Sequence, residues 1–261
     1  MSRSEELPRM SFGAHLEELR RRLFRSILAL LVTTSAAFVF HKELFSVATI
    51  PHYRAHALFD PPPADWTFFT GSYTGPVGSL VKLSLLAGLF LASPVIGWQV
   101  WRFVGAGLYA RERRWALTFG VCSFLLFLLG CVAGFCLLIP YSLYGLASML
   151  PLKDVKMAFD VAAYIDLVMT LTVALGGVFQ LPLVMAFLTR IGLVEPRAWG
   201  RWRKHGIVAN VVLAAVLAPG DPLSLAAFAA PLLLLYEIGA LTARLCAPPS
   251  LPPPAPDLLV V

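Results

Sequence analysis

The sequence is poor in charge. Only 14% of its residues are Asp, Glu, Lys or Arg, where a soluble domain carries about a quarter. With 58% hydrophobic residues, the chain has too little polar surface for an ordinary water-soluble globule. Cysteine is also scarce. The four copies are Cys122, Cys131, Cys136 and Cys246, and three of them lie inside one apolar run. None has metal-ligand spacing with a histidine, and none is placed for a structural disulfide. They read as small apolar packing residues. The five histidines, His15, His41, His52, His56 and His205, are scattered. His52 and His56 stand at i, i+4, but in a proline-rich stretch, which argues against a metal site. No GxSxG, HExxH, phosphate-binding glycine loop or paired-cysteine motif occurs. Neither enzyme chemistry nor a cofactor is therefore expected.

What the chain has is a series of long apolar runs. A membrane-crossing helix needs about 20 mostly apolar residues. Candidate spans cover about residues 23–40, 77–103, 115–139, 161–191, 207–218 and 223–241. The fold class expected is an all-α polytopic membrane protein in one membrane domain, residues 1–246. A proline-rich, unstructured tail follows at 247–261. The first run is expected as a retained span. The polar stretch before it is long and carries four glutamates, which fits a cleavable signal poorly.

The fifth run has only about 12 residues, near 18 Å of helix. The turn PGDP at 219–222 separates it from the last run. Two short helices joined by a tight turn are expected. Pro94 offers the second span a kink. Lys82, near its start, is expected to snorkel outward. Gly176, Gly177 and Pro182 interrupt the fourth span. Asp160 stands where an N-cap belongs, and Asp166 lies one to two turns further in. Residues 41–76 are expected to form turns and irregular pieces, because of Pro51, Pro61, Pro62 and Pro63. Trp66, Phe68, Phe69 and Tyr73 in that stretch suit the interfacial level of a bilayer.

Charge sets the expected topology. The net charge is +6, and the basic residues flank the apolar runs. That distribution fits membrane orientation better than nucleic-acid binding. With the N terminus in the cytoplasm and six spans, sixteen Lys and Arg fall inside and five outside. A five-span count would move Arg244 outside and bury Asp221 in lipid.

Several polar residues need a reason. Residues 11–25 read SFGAHLEELRRRLFR. Phe12, Leu16, Leu19, Leu23 and Ile27 form a helical apolar face there. Glu17 and Glu18 precede Arg20, Arg21 and Arg22 at offsets where opposite charges meet. This flank either orients the first span or forms part of a recognition surface. Glu112 sits among Arg111, Arg113 and Arg114 on the same expected membrane face. Two carboxylates at one membrane edge can each accept the fork of a guanidinium. Gln180, before Pro182, serves either a local backbone hydrogen bond or a substrate groove. Glu237, near the end of the last span, needs a partner, either Arg244 or a group on another helix.

HLEELRRRL at 15–23, SPVIGWQVWRF at 93–103, LYARERR at 108–114, FQLP at 179–182, APGDPLS at 218–224 and YEIG at 236–239 stand in one order. With these pieces the chain resembles the TatC family, the multispanning receptor subunit of the twin-arginine protein translocase. The resemblance covers residues from about 11 to 245. It implies six spans, cytoplasmic termini and a curved, glove-like wall in the bacterial inner membrane. It also implies recognition of twin-arginine signal peptides on folded cargo. The implied partners are the single-span TatA and TatB and further copies of the chain in a receptor complex. Transport would be driven by the proton-motive force, without hydrolysis. Carried over, Glu18 and Glu112 match the carboxylates of signal recognition. Arg20, Phe103, Pro94 and Pro51 match positions near the site or in the scaffold. Gln180 matches the polar position on the concave side, where many relatives carry Glu. Asp221 matches the acid of the outer turn. Ala106 and Gly107 replace an expected proline-containing sequence. A small-solute secondary transporter is the alternative expectation, supported by the interrupted fourth span. No inverted repeat accompanies it.

Overall fold

The computed structural model describes residues 12–63, 66–106, 113–149 and 157–247. Glu112 and most of the proline-rich tail therefore lie outside the described residues. The chain begins with α1 (Phe12–Val39), then two short helices, α2 (His41–Ala48) and α3 (Ile50–His56), and strand β1 (Trp66–Phe69). Helices α4 (Gly75–Ala106) and α5 (Arg113–Ala133) follow. A π-helical turn, Gly134–Leu138, carries α5 directly into α6 (Ile139–Ser148). Strand β2 (Met157–Asp160) leads to α7 (Val161–Val178), α8 (Leu181–Arg190), α9 (Pro196–Arg201), α10 (Arg203–Leu217) and α11 (Pro222–Leu245).

Among the described residues, five helical stretches are long and apolar enough to cross a bilayer: Gly13–Val39, Gly75–Ala106, Thr118–Ser148, Val161–Arg190 and Pro222–Leu245. α10 has 15 residues, about 22 Å of helix, short of a core of about 30 Å.

The chain is mostly helical, but not wholly so. β1 and β2 pair in parallel, with Trp66 opposite Met157 and Phe69 opposite Asp160. The stretch after α1, expected to be irregular, instead holds α2 and α3. Pro51 sits in the first turn of α3, where its missing N–H costs no helical bond. Of the four aromatics expected at the membrane interface, Trp66 and Phe68 turn inward, whereas Phe69 and Tyr73 are exposed. Trp66 is buried, and its Nε1 donates to the His52 carbonyl at 3.3 Å. His52 is fully buried against Trp66, Phe68, Phe159 and Tyr164. The Tyr164 hydroxyl donates to the Ala48 carbonyl at 2.6 Å, tying α7 to the end of α2.

Prolines in the apolar helices need compensation, because lipid supplies no hydrogen bonds. Pro94 cannot donate to the Phe90 carbonyl four residues back. The Ser93 hydroxyl donates to that oxygen instead, at 2.6 Å. The third span, expected over about 115–139, extends further. Pro140 stands in the first turn of α6, just past the π turn, so the helix runs on to Ser148. The wider π repeat accommodates the residue that cannot donate. Pro182 opens α8 after the chain breaks at Phe179 and Gln180.

Small residues bring the helices together, as expected where packing rather than water drives association. A Cβ on Gly176 would stand 2.6 Å from Cys131 Sγ and from the Phe127 ring, so α7 and α5 nearly touch. α1 is mostly exposed and packs chiefly against α4. That contact centres on Gly88, where a Cβ would stand 2.7 Å from the Thr34 backbone. Beside it, Thr33 Oγ1 donates to the Gly88 carbonyl at 2.8 Å.

Asp160 caps α7 by accepting from the Ala162 amide at 3.1 Å. Asp166 pairs with Lys82 at 2.5 Å, so that lysine bridges α4 to α7 rather than reaching freely outward. Asp221 is 2% exposed and caps α11, accepting from the Ser224 amide at 2.7 Å.

Gly88→Val should detach α1 from α4, because backbone rather than a movable side chain blocks the space. Gly78→Val, with nothing near its Cβ, is the matched control. Protease protection of α1 in detergent should fall in the first variant only.

Burial pushes His52 down to about 4, and the neighbouring His56 adds to the shift. An ordinary histidine titrates near 6.5. As pH falls from 6.5 toward 4, the unfolded chain takes up a proton that folded His52 refuses. Stability contributed by the neutral ring is therefore full above 6.5 and is lost on acidification through that window. Thermal unfolding of His52→Phe should lack this component between pH 6.5 and 4.

Candidate functional site

The candidate site lies where the start of α1 meets the end of α4. On α1, i, i+3 and i, i+4 spacing pairs the charges with one another. Glu18 is ion-paired with Arg22, and both side chains are largely enclosed, at 21% and 11% exposure. Glu17 and Arg20 pair loosely at 3.9 Å on the solvent side. Arg20 therefore points outward while Glu18 turns toward the protein. One turn earlier, the His15 ring stacks on Phe103 of α4, with centroids 4.5 Å apart. His15 was not singled out from sequence. Its i, i+3 offset from Glu18 within the HLEELR piece was the available signal.

The same end of the bundle gathers other helix termini. Trp101 of α4 stacks on Phe119 of α5 at 5.3 Å, and both rings meet Phe187 of α8. Arg190, ending α8, donates to the Cys246 carbonyl beyond α11 at 3.2 Å. α1, α4, α5, α8 and α11 thus share one arginine-rich rim, which includes Glu18, Arg20 and Phe103.

The Glu18 carboxylate can act as an acceptor on this rim. Arg22 engages one of its oxygens, Oε1. Nε and Nη1 of Arg22 are buried without a hydrogen-bond partner among the described residues. An incoming guanidinium could share the carboxylate or displace Arg22 from it.

Gln180 stands at the α7–α8 break, half-buried. Its Oε1 accepts from Ser123 Oγ at 2.8 Å, and its Nε2 donates to the Ser123 carbonyl at 2.9 Å. The amide thus bonds to α5 rather than to backbone freed by Pro182. Ser123 was not anticipated, since sequence spacing carries no trace of a partner 57 residues away. Pro94 lies exposed within α4, and Pro51 is buried in α3 on the far side of the molecule from the rim. Asp221 caps the start of α11, 16 residues before Glu237 and so about 24 Å along the helix. Glu237 pairs with Arg203 at the head of α10, at 2.6 Å, rather than with Arg244. Among the described residues no cluster of His, Cys, Asp or Glu is arranged to hold a metal ion.

Several apolar crossing helices, breaks lined by small residues and a charged rim at one end define a polytopic helical membrane protein. Residues 14–231 match the family described as Sec-independent protein translocase protein (TatC). The chain is 36% identical over 239 residues to TatC of Aquifex aeolicus (strain VF5), covering 90% of this chain and 95% of that one. It is 30% identical to TatC of Escherichia coli (strain K12), covering 88% and 86%. Against TatC of Halothiobacillus neapolitanus, 33% identical, it spans 64% of the relative's length. A crystal structure described as the twin arginine translocase receptor TatC superposes with a TM-score of 0.75 at 35% identity, covering 89% of this chain and 99% of that one. A second, in DDM, gives 0.73. The chain belongs to the TatC family.

The Arg203–Glu237 pair is half-exposed on both sides, at 59% and 43%. Such pairs contribute little, because solvent screens them. A double-mutant cycle of Arg203→Ala and Glu237→Ala, read by thermal unfolding, should show additive effects, with no coupling beyond experimental error.

Proposed function

We propose that this chain is the receptor subunit of a Sec-independent translocase and binds the twin-arginine signal peptides of folded cargo on its arginine-rich rim. The observation that carries this is Glu18. It is a largely enclosed carboxylate on the rim of a TatC-family fold, one turn from the stacked His15 and Phe103. Glu112 would be the second acceptor, and each carboxylate would take one guanidinium fork of the signal. Arg20 faces outward on the same helix as Glu18 and would discourage unselected cations. Phe103 would offer an apolar contact to residues flanking the arginine pair.

In this proposal the protein crosses the bacterial inner membrane six times, with α10 as the short fifth crossing and both termini cytoplasmic. The positive-inside bias supports that orientation. TatA- and TatB-type subunits and further copies of the chain complete the complex. Gln180 faces the interior of the wall and contributes a polar contact there. The chain itself catalyses no hydrolysis, and the proton-motive force drives passage.

Charge-assisted hydrogen bonds contribute about 1.5–3 kcal/mol each. Glu18→Gln and Glu112→Gln should therefore each weaken binding of a twin-arginine peptide by at least about tenfold, while Arg20→Lys has a smaller effect. Photocrosslinking of a signal peptide to the receptor in membranes reads this directly. Undiminished crosslinking in both glutamine variants, at normal protein levels, would refute the assignment.

A further inference from the structure

A groove of about 540 Å³ opens between α9, α10 and α11, lined by Trp199, Gly200, Arg203, Glu237, Leu241 and Arg244. It uses neither Glu18 nor Phe103. We propose that it seats the phosphate of an anionic phospholipid, with the acyl chains lying along α11.

The donors decide the ligand chemistry. Trp199 Nε1 is committed to Thr189 Oγ1 at 2.9 Å, and the Tyr236 hydroxyl to the Trp199 carbonyl at 2.8 Å. What remains is guanidinium. Arg203 engages Glu237 through Nε, and its two terminal nitrogens carry no hydrogen bond among the described residues. Arg244 is exposed, and its guanidinium has no hydrogen-bond or ion-pair partner among the described residues. Gly200 lies beside it, and a Cβ there would stand 3.4 Å from Arg244 Nη2. The groove's carboxylate, Glu237, is already matched by Arg203, so the lining keeps a net positive charge. Basic pockets between helices at a membrane face are the setting in which anionic headgroups bind.

The walls select a lipid over a free anion. Leu241, Ile238 and Leu234 recur at helical spacing on α11 and are 57%, 41% and 60% exposed. They form an apolar strip running from the guanidiniums toward the middle of the helix, the path an acyl chain would follow. Trp199 and Trp202 meet edge to face at 6.0 Å beside the groove. Tryptophan is favoured at headgroup depth. The orientation proposed above enters only in saying which leaflet supplies the lipid.

The full-length protein is reconstituted in nanodiscs of phosphatidylglycerol and phosphatidylcholine at equal amounts, then extracted in mild detergent. Co-purifying lipid is counted by mass spectrometry. The wild type should retain phosphatidylglycerol preferentially. Arg244→Gln should lower that retention about fivefold, the share of one basic residue near a membrane surface. Arg203→Gln/Glu237→Gln, which leaves no unpaired carboxylate behind, should lower it similarly. Arg197→Gln, exposed but outside the groove, should leave it unchanged. Equal retention in wild type and Arg244→Gln would overturn the proposal, as would an equal loss in Arg197→Gln. Competition by glycerol phosphate as effective as that by phosphatidylglycerol would also overturn it, in favour of a free-anion site. If a single-span partner subunit displaces the lipid completely and Arg244→Gln weakens that partner's binding instead, the groove is a protein interface and the lipid assignment fails. Signal-peptide crosslinking in Arg244→Gln should stay at the wild-type level, so this result stands apart from the receptor assignment.

Discussion

A polar group held in lipid finds its partner inside the protein or nowhere. That constraint governs how these helices bend and break. Ser93 replaces the donor that Pro94 lacks. A π turn precedes Pro140 and lets one continuous stretch carry the chain from Thr118 to Ser148. At the α7–α8 break, the Gln180 amide is satisfied twice by Ser123. The Pro94 irregularity is compensated on its own helix, and the α7–α8 break is tied to a neighbouring one. The irregularities are therefore fixed bends, and they determine where the helix ends arrive.

The rim follows from those bends. α4 returns to α1 so that Phe103 lies on His15, and the glycine contact at Gly88 keeps the two helices close enough for the stack to form. α8 delivers Phe187 to Trp101 and Phe119, and Arg190 to the end of α11. Glu18 then sits on a framework of aromatic and backbone contacts, although α1 is mostly uncovered. At the other end, the buried His52 cluster and the β1–β2 pair close the molecule.

The long apolar helices, the PGDP turn and the Asp160 cap were legible because each is written in consecutive residues. HLEELR and LYARERR pointed to the family for the same reason. What escaped was nonlocal. β1 and β2 are separated by two whole crossing stretches, and four-residue strands leave no periodicity to detect. Pro51 and its neighbours suggested irregular chain, yet a proline in a first turn is compatible with a short helix. Glu237 chose Arg203 from the preceding helix over Arg244, seven residues along its own. That choice depends on how α10 crosses α11. The Ser123 partner of Gln180 likewise depends on the approach of α5 to the α7–α8 break.

The pairing of Glu18 with Arg22 bears on selectivity. A lone enclosed carboxylate would be costly and would attract any cation. With Arg22 in place, the empty site is already matched in charge, so a single lysine from solvent gains little by entering. A planar guanidinium can reproduce what Arg22 supplies and add a second hydrogen bond. Discrimination would then arise from the difference between the two forks rather than from raw attraction. Under the proposed function, an entering arginine would have to engage Glu18 better than Arg22 does.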